Sequence, residues 1–189
     1  MQSSFFSRVL FFVIVFSTRR LIRRTKSRVV IKPSKTLVVF KIHRKDIRSQ
    51  IPDLNISSVM SRLPNGAIPI KNKKNLFMHN GIFYKPISNE FQEINPPVGI
   101  IVDQISSSSM RFVFKSRTYF FNNGVFFTQY KSEYKVAKPP VGAIVSQLPT
   151  DSVKITFVGR IYYVKYSVLY KMEETELGLF PTVTGYVYD

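Results

Sequence analysis

The side chains that could do chemistry here are few, and their spacing does not gather them. His43 lies in a basic stretch with no plausible acidic partner, Asp46 being the one acid there, and His79 sits just before an Asn-Gly pair, at a position matched further on by Asn122. A polar residue beside a turn is the ordinary reading of His79. The chain has no cysteine, which excludes disulfides, thiolate zinc sites and thiol nucleophiles. The Gly-x-Ser-x-Gly elbow, the glycine-rich phosphate loop and the His-Glu-x-x-His pair are missing. Eleven carboxylates are dispersed along the chain. Glu90, Glu133 and Glu176 recur at a fixed interval, each expected to open a strand, and "EETE" (173–176) reads as an acidic surface turn. A repeated acid could hold a cation or a basic partner. A metal site, however, needs several ligands at one locus, and a solvent-facing strand end is the plainer reading. The expectation is a non-enzyme with no catalytic residue, no metal ligand and no cofactor.

What the sequence offers instead is charge and aromatic surface. The formal net charge is +17, and it is unevenly placed: residues 1–50 hold 13 Lys/Arg against Asp46, and the remainder holds 15 against 10 acids. Such a segment can neutralise phosphates or other anions on nucleic acid, lipid or polysaccharide. Its densest part, "RRLIRRTKSR", carries Arg19, Arg20, Arg23, Arg24, Lys26 and Arg28, the candidate contacts for an anionic ligand. A solvated basic linker or a charged edge strand is the plainer reading of the same residues. Further on, Tyr119, Phe120, Phe121, Phe126, Phe127, Tyr162, Tyr163 and Tyr166 are too many for one face of a small sheet, because successive strand residues point to opposite sides. Either neighbouring units cover the surplus, or it stacks on bases, on sugar rings or on another copy.

These side chains must be positioned by β-structure, and the chain writes that structure repeatedly. "MHNGIFYK" (78–85) returns as "FNNGVFFT" (121–128), 43 residues later. Residues 76–105 align with 119–148 without a gap, twelve of thirty positions being identical. Each Asn-Gly pair, Asn80-Gly81 and Asn123-Gly124, suits a tight hairpin in which both central residues take positive φ. "RFVFKSRTYFFNNGVFF" (111–127) reads as strand, turn, strand, Asn-Gly turn, strand, and "EYKVA" (133–137) as a fourth strand. Pro96-Pro97 before Gly99, and Pro139-Pro140 before Gly142, then stop the ladder. The following "VGAIVSQLP" fits one helical turn or an extended connector. A worn third copy maps Arg117 to Arg160, Tyr119 to Tyr162, Val125 to Val168, Glu133 to Glu176 and Gly142 to Gly185. It has Tyr166-Ser167 in place of Asn-Gly and Thr182-Val183 in place of the proline pair. Terminal repeats are commonly atypical. Three copies cannot close a propeller, so a short stack or fused half-barrels is expected.

At the start, Val9 to Phe16 is an apolar run of eight residues, far short of the roughly 20 a membrane-spanning helix needs. It matches the core of an export signal in length, with a buried strand or a membrane-surface anchor as alternatives; no transmembrane helix is expected. "SRVVIKPSKTLVVFKI" (27–42) reads as two short strands around a Pro-Ser turn. The expected organisation is a possible degenerate signal peptide or apolar strand (1–18), a basic arm and linker (19–60), β-repeats at 61–105 and 106–148, and a degenerate repeat at 149–189. The fold class is all-β, built of tandem antiparallel meander units.

The pairing of aromatic-x-Asn-Gly-x-aromatic with Pro-Pro-x-Gly-x-x-Val-x-x-Leu-Pro resembles a family of small exported bacterial proteins of the Bacteroidetes type, classed as a domain of unknown function. The matching residues are Phe77, Asn80, Gly81, Phe83, Tyr84, Pro96, Pro97, Gly99, Val102 and Ile105. In the second copy they are Phe120, Asn123, Gly124, Phe126, Phe127, Pro139, Pro140, Gly142, Val145, Leu148 and Pro149. The resemblance covers residues from about 18 to 175; Ser106, where the pattern wants proline, the poor signal sequence and the worn third copy depart from it. It implies a repeat fold and a place in the cell envelope or periplasm, and no activity. The expected role is binding or scaffolding against an anionic envelope polymer or lipid surface, with self-association through repeat edges as a further expectation. The alternative is a cytoplasmic nucleic-acid-binding module.

Overall fold

A computed structural model describes residues 29–30, 39–51, 58–71 and 73–189. Three antiparallel-rich sheets account for most of it, one for each copy of the repeat. The first unit contains β4 (Ile68–Pro69), β5 (Phe77–His79), β6 (Ile82–Ile87) and β7 (Glu90–Ile94), with β3 (Val59–Met60) along the outer side of β7. The second contains β9 (Met110–Phe114), β10 (Arg117–Asn122), β11 (Val125–Tyr130) and β12 (Glu133–Ala137). The third contains β13 (Val153–Phe157), β14 (Arg160–Lys165), β15 (Val168–Thr175) and β16 (Gly178–Tyr188). All-β tandem meanders are what the repeat announced.

Turn chemistry fixes each meander. Asn80 and Gly81 adopt φ of 47° and 83°, and Asn123 and Gly124 adopt 44° and 91°, the left-handed pair a two-residue hairpin requires. Across the second hairpin Phe121 faces Phe126, with ring centroids 4.9 Å apart, and Phe120 pairs with Phe127. The first turn of the third unit is less well matched. Val158 sits at φ 47°, 81 % exposed, a conformation that costs a β-branched residue roughly 1–2 kcal/mol with no packing to offset it. Val158→Asn is therefore expected to stabilise the fold by about 1 kcal/mol, read as a higher urea midpoint with an unchanged slope.

The aromatic surplus is resolved by stacking both faces. From β10 and β11, Tyr119, Phe121 and Phe126 join Phe112, Phe114, Val168, Tyr170 and Val183 in a core shared with the third unit. From the opposite face, Val125 and Phe127, with Phe120 packed against them, join Met78 and Phe83 of the first unit. The near-continuous apolar runs follow from this, since a strand buried on both faces has no polar side to show. Tyr170 is fully buried and its hydroxyl has no hydrogen-bond partner among the described residues. The second copy places Phe127 at the same position, also fully buried. Tyr170→Phe should raise stability by about 1 kcal/mol by removing an unsatisfied donor, measured as a higher Tm.

The connectors are extended, not helical, and they cross between units. After Pro96-Pro97, β8 (Ile101–Val102) pairs with β12, so residues assigned by sequence to the first repeat complete the second sheet. The Gly99 amide donates to Val136 and the Val136 amide to Ile100; correspondingly, the Gly142 amide donates to Val183 and the Val183 amide to Ala143. This equivalence corrects the third copy. Val136 corresponds to Val183, not to a residue 43 further on, because the hairpin between β15 and β16 is four residues longer. Glu176 is thus in a turn and opens no strand, Gly185 is not the counterpart of Gly142, and Thr182-Val183 lie within β16 and do not stand in for the proline pair. Where proline stops β7 and β12, β16 runs on to Tyr188.

The region expected as a basic arm and linker is partly built into the sheets. The two β-branched segments do form strands, but they do not pair with each other. β1 (Val29–Val30) lies parallel to β9, and β2 (Phe40–His43) lies parallel to β16. A short helix, α1 (Arg44–Ile47), follows β2, and Ile42, Ile47 and Ile51 cover the outer face of the third unit at Ile155, Tyr162, Val164 and Leu169. The Gln50 side-chain amide accepts from the Thr156 amide (2.6 Å) and donates to the Thr156 carbonyl (2.8 Å), occupying hydrogen-bonding groups on the edge of β13 that no described strand pairs. Residues 1–18 lie outside the described residues.

Candidate functional site

Two features stand out from the repeat frame, one buried and one exposed. The buried one is centred on Glu93 in β7. Its counterparts in the other units are Val136 and Val183, both buried, so an acid here has no packing reason. Glu93 Oε1 accepts from Lys165 Nζ at 2.9 Å and from the Tyr166 hydroxyl at 2.7 Å, and Oε2 accepts from Ser58 Oγ at 3.0 Å. Glu93 and Lys165 side chains are each 12 % exposed. Lys165 Nζ also lies 4.6 Å from the centre of the Tyr166 ring.

Tyr166 and Ser167 replace the Asn-Gly pair yet keep its geometry, at φ of 50° and 60°. A tyrosine in the left-handed region is strained, and the contacts of its ring and hydroxyl hold it there. Gly124 leaves the room: a Cβ on it would lie 3.2 Å from the Tyr166 ring and 3.3 Å from Pro149. Burial pushes the Glu93 carboxyl up, but the hydrogen bonds from Lys165, Tyr166 and Ser58 and the Lys165 charge outweigh it, leaving Glu93 below the usual carboxylate range. Burial and the adjacent Glu93 charge push the Tyr166 phenol up. The cluster clasps the first unit to the third, and both Glu93 oxygens accept from the protein itself. Beside it runs a groove of about 340 Å³ bordered by Tyr166, Val98, Lys138 and Tyr186, where Lys138 Nζ lies 5.3 Å from the Tyr186 ring centre.

The exposed feature is a set of cations in register. Arg117 opens β10 and Arg160 opens β14; Lys74, the same 43-residue interval earlier, precedes β5. All three are exposed, and none forms an ion pair among the described residues. Arg117 and Arg160 are the first residues of matching strands, while Lys74 lies in the turn before β5, so each unit contributes one exposed cation at this end of the hairpin.

The residues singled out from sequence fall mostly into structural roles. Asn80, Gly81, Asn123 and Gly124 form the hairpin turns. Pro96, Pro97, Pro139 and Pro140 follow the ends of β7 and β12, and Gly99 and Gly142 take φ of 92° and 91°. His79 bonds Asn80 at the turn, and His43 Nδ1 accepts from the Lys45 amide at the start of α1. Glu90 is exposed at the head of β7 and Glu133 is half-buried at the head of β12. Arg19, Arg20, Arg23, Arg24, Lys26 and Arg28 lie outside the described residues. Among the described residues no three His, Asp or Glu gather as a metal site would require, and no helix is long and apolar enough to cross a membrane.

Glu93 was not identified from sequence, although a signal was present: an acid where the aligned copy has Val136. Residues 54–178 match the model of a family described as a family of unknown function (DUF6515). No curated protein and no solved structure matches the chain.

Proposed function

We propose, for a chain that belongs to the family of unknown function DUF6515, a non-enzymatic binding and scaffolding role at the bacterial envelope, with a linear anionic polymer as its ligand. The observation that carries this reading is the cation row: Lys74, Arg117 and Arg160, one per unit, exposed and free of ion pairs among the described residues. Packed units that each present an exposed cation suit a polymer that carries many anions along its length. The basic residues Arg19 to Arg28 extend the same preference toward an anionic polymer or lipid surface.

Binding of polygalacturonate at low salt, weakening steeply as salt rises, is the expected result. Lys74→Glu/Arg117→Glu/Arg160→Glu should lower affinity by about tenfold or more. Equal affinity for the triple variant removes the reading. Export is tested separately by N-terminal sequencing of the native protein: a start near residue 18–20 supports the envelope, and an intact Met1 in the cytosol opposes it.

One observation favours the nucleic-acid alternative. Tyr130 is 40 % exposed, with Lys131 and Lys135 ammonium groups 5.8 and 5.7 Å from its ring centre, an arrangement able to stack a base beside a phosphate. Single-stranded DNA binding that is tighter than polysaccharide binding and is lost in Tyr130→Ala would establish it.

A further inference from the structure

The hairpin between β15 and β16 departs from the repeat in a way the stack does not use. β6 and β11 are six residues long and turn at once into the next strand; β15 has eight residues and β16 eleven. β14 pairs with β15 only through Tyr163 with Tyr170, Val164 with Leu169, and Lys165 with Val168. From Lys171 to Thr175, β15 is therefore hydrogen-bonded on one side by β16 and on the other by no described strand. The projecting ribbon exposes Leu177 (74 %) and Leu179 (61 %). Exposed apolar side chains at a ribbon tip, beside a strand edge that no described strand pairs, are features a monomer ordinarily avoids.

The ribbon's charge is the reverse of the chain's. Glu173, Glu174 and Glu176 fall within four residues of a protein of net charge +17. Glu173 has Lys171 at 3.7 Å, while Glu174 and Glu176 have no ion pair among the described residues. Two such ribbons laid edge to edge would bring like charges together. The cation row of another copy offers the opposite sign.

We infer that the ribbon docks on a second copy of this chain, its glutamates against Lys74, Arg117 and Arg160 and its leucines against the surface beside them. The two surfaces differ, so the contact is head-to-tail, and such contacts propagate into open assemblies unless a rotation closes them. The inference rests on the cation row of the proposed function, and it makes self-association and polymer binding compete for one surface.

Sedimentation of the full chain at low salt, over a concentration series, tests it. Wild type should gain mass with concentration and lose that gain at high salt. Leu177→Asp/Leu179→Asp and Glu173→Lys/Glu174→Lys/Glu176→Lys should each stay monomeric. Mixing the Glu-to-Lys variant with Lys74→Glu/Arg117→Glu/Arg160→Glu should restore association, since each then carries what the other lacks. A wild type that is monomeric throughout, or a leucine variant that assembles normally, overturns the inference. The leucine variant also separates the two proposals, because polygalacturonate binding should survive in it. If wild type assembles but binds no polymer, the proposed function fails and the docking contact stands.

Discussion

Glu93→Val is expected to cost about 3–5 kcal/mol of stability, although valine is the residue the other two units carry at that position. The substitution leaves the Lys165 ammonium buried without its partner, and Tyr166 in a left-handed conformation without the hydrogen bond that helps hold it. The same change made together with Lys165→Met should recover most of the loss, because a buried ion pair replaced whole by apolar groups is often neutral or better. Urea denaturation of the two single variants and the double variant closes a thermodynamic cycle. A double variant as unstable as the sum of the singles would show that the pair does not act as a unit.

The clasp also sets a pH dependence. The Glu93 carboxyl sits below its ordinary value in the folded chain, so its contribution is fully present above the unfolded value near 4.5 and disappears as pH falls from there through the folded value. Tyr166 behaves oppositely. Its phenol is raised on folding, so its contribution is present below the unfolded value near 10 and is lost as pH climbs beyond it. The acid limb of a stability–pH curve should flatten in Glu93→Val/Lys165→Met.

The second large effect is expected at Gly185. Here β2 approaches β16 so closely that a Cβ would run into the Phe40 carbonyl oxygen and lie 2.6 Å from its carbon. The obstacle is backbone on a paired strand, which no side-chain rotation relieves. Gly185→Ala should therefore displace β2 and, with it, Ile42, Ile47 and Ile51 from the third unit, a loss of about 3 kcal/mol or more. The consequence is local and can be read locally. Lys41, Arg44, Lys45 and Arg48 border these buried isoleucines, so trypsin should cut among them much faster in the variant. An unchanged cleavage pattern and Tm would mean the parallel pair contributes nothing there.

Local chemistry made the meander legible. Asn-Gly, the aromatic alternation around it and the proline pairs act within a few residues, and the strands from β9 to β12 lie where those signals put them. What escaped was non-local. β1 and β2 show as β-branched runs, but nothing near them says that each will join a distant strand in parallel. The ladder from β16 through Tyr170 was masked by four inserted residues, which shifted Glu176 and Gly185 out of the register the interval implied. The clasp was half visible, since Tyr166-Ser167 was evidently not Asn-Gly. Its partner could be found only by asking why one copy has Glu93 where another has Val136.

Pairing β2 with β16 also imposes a delay. Residues 40–43 leave the ribosome about 145 residues ahead of their partners at 185–188, and at about 5–20 residues per second that is roughly 7–30 s. Within that interval the first two units are made and can close on each other, while Phe40, Ile42 and Ile47 wait without the surface that will bury them. The third unit is then the last to be sealed, and a chaperone that binds short β-branched segments would find its target early in synthesis and lose it only when β16 arrives.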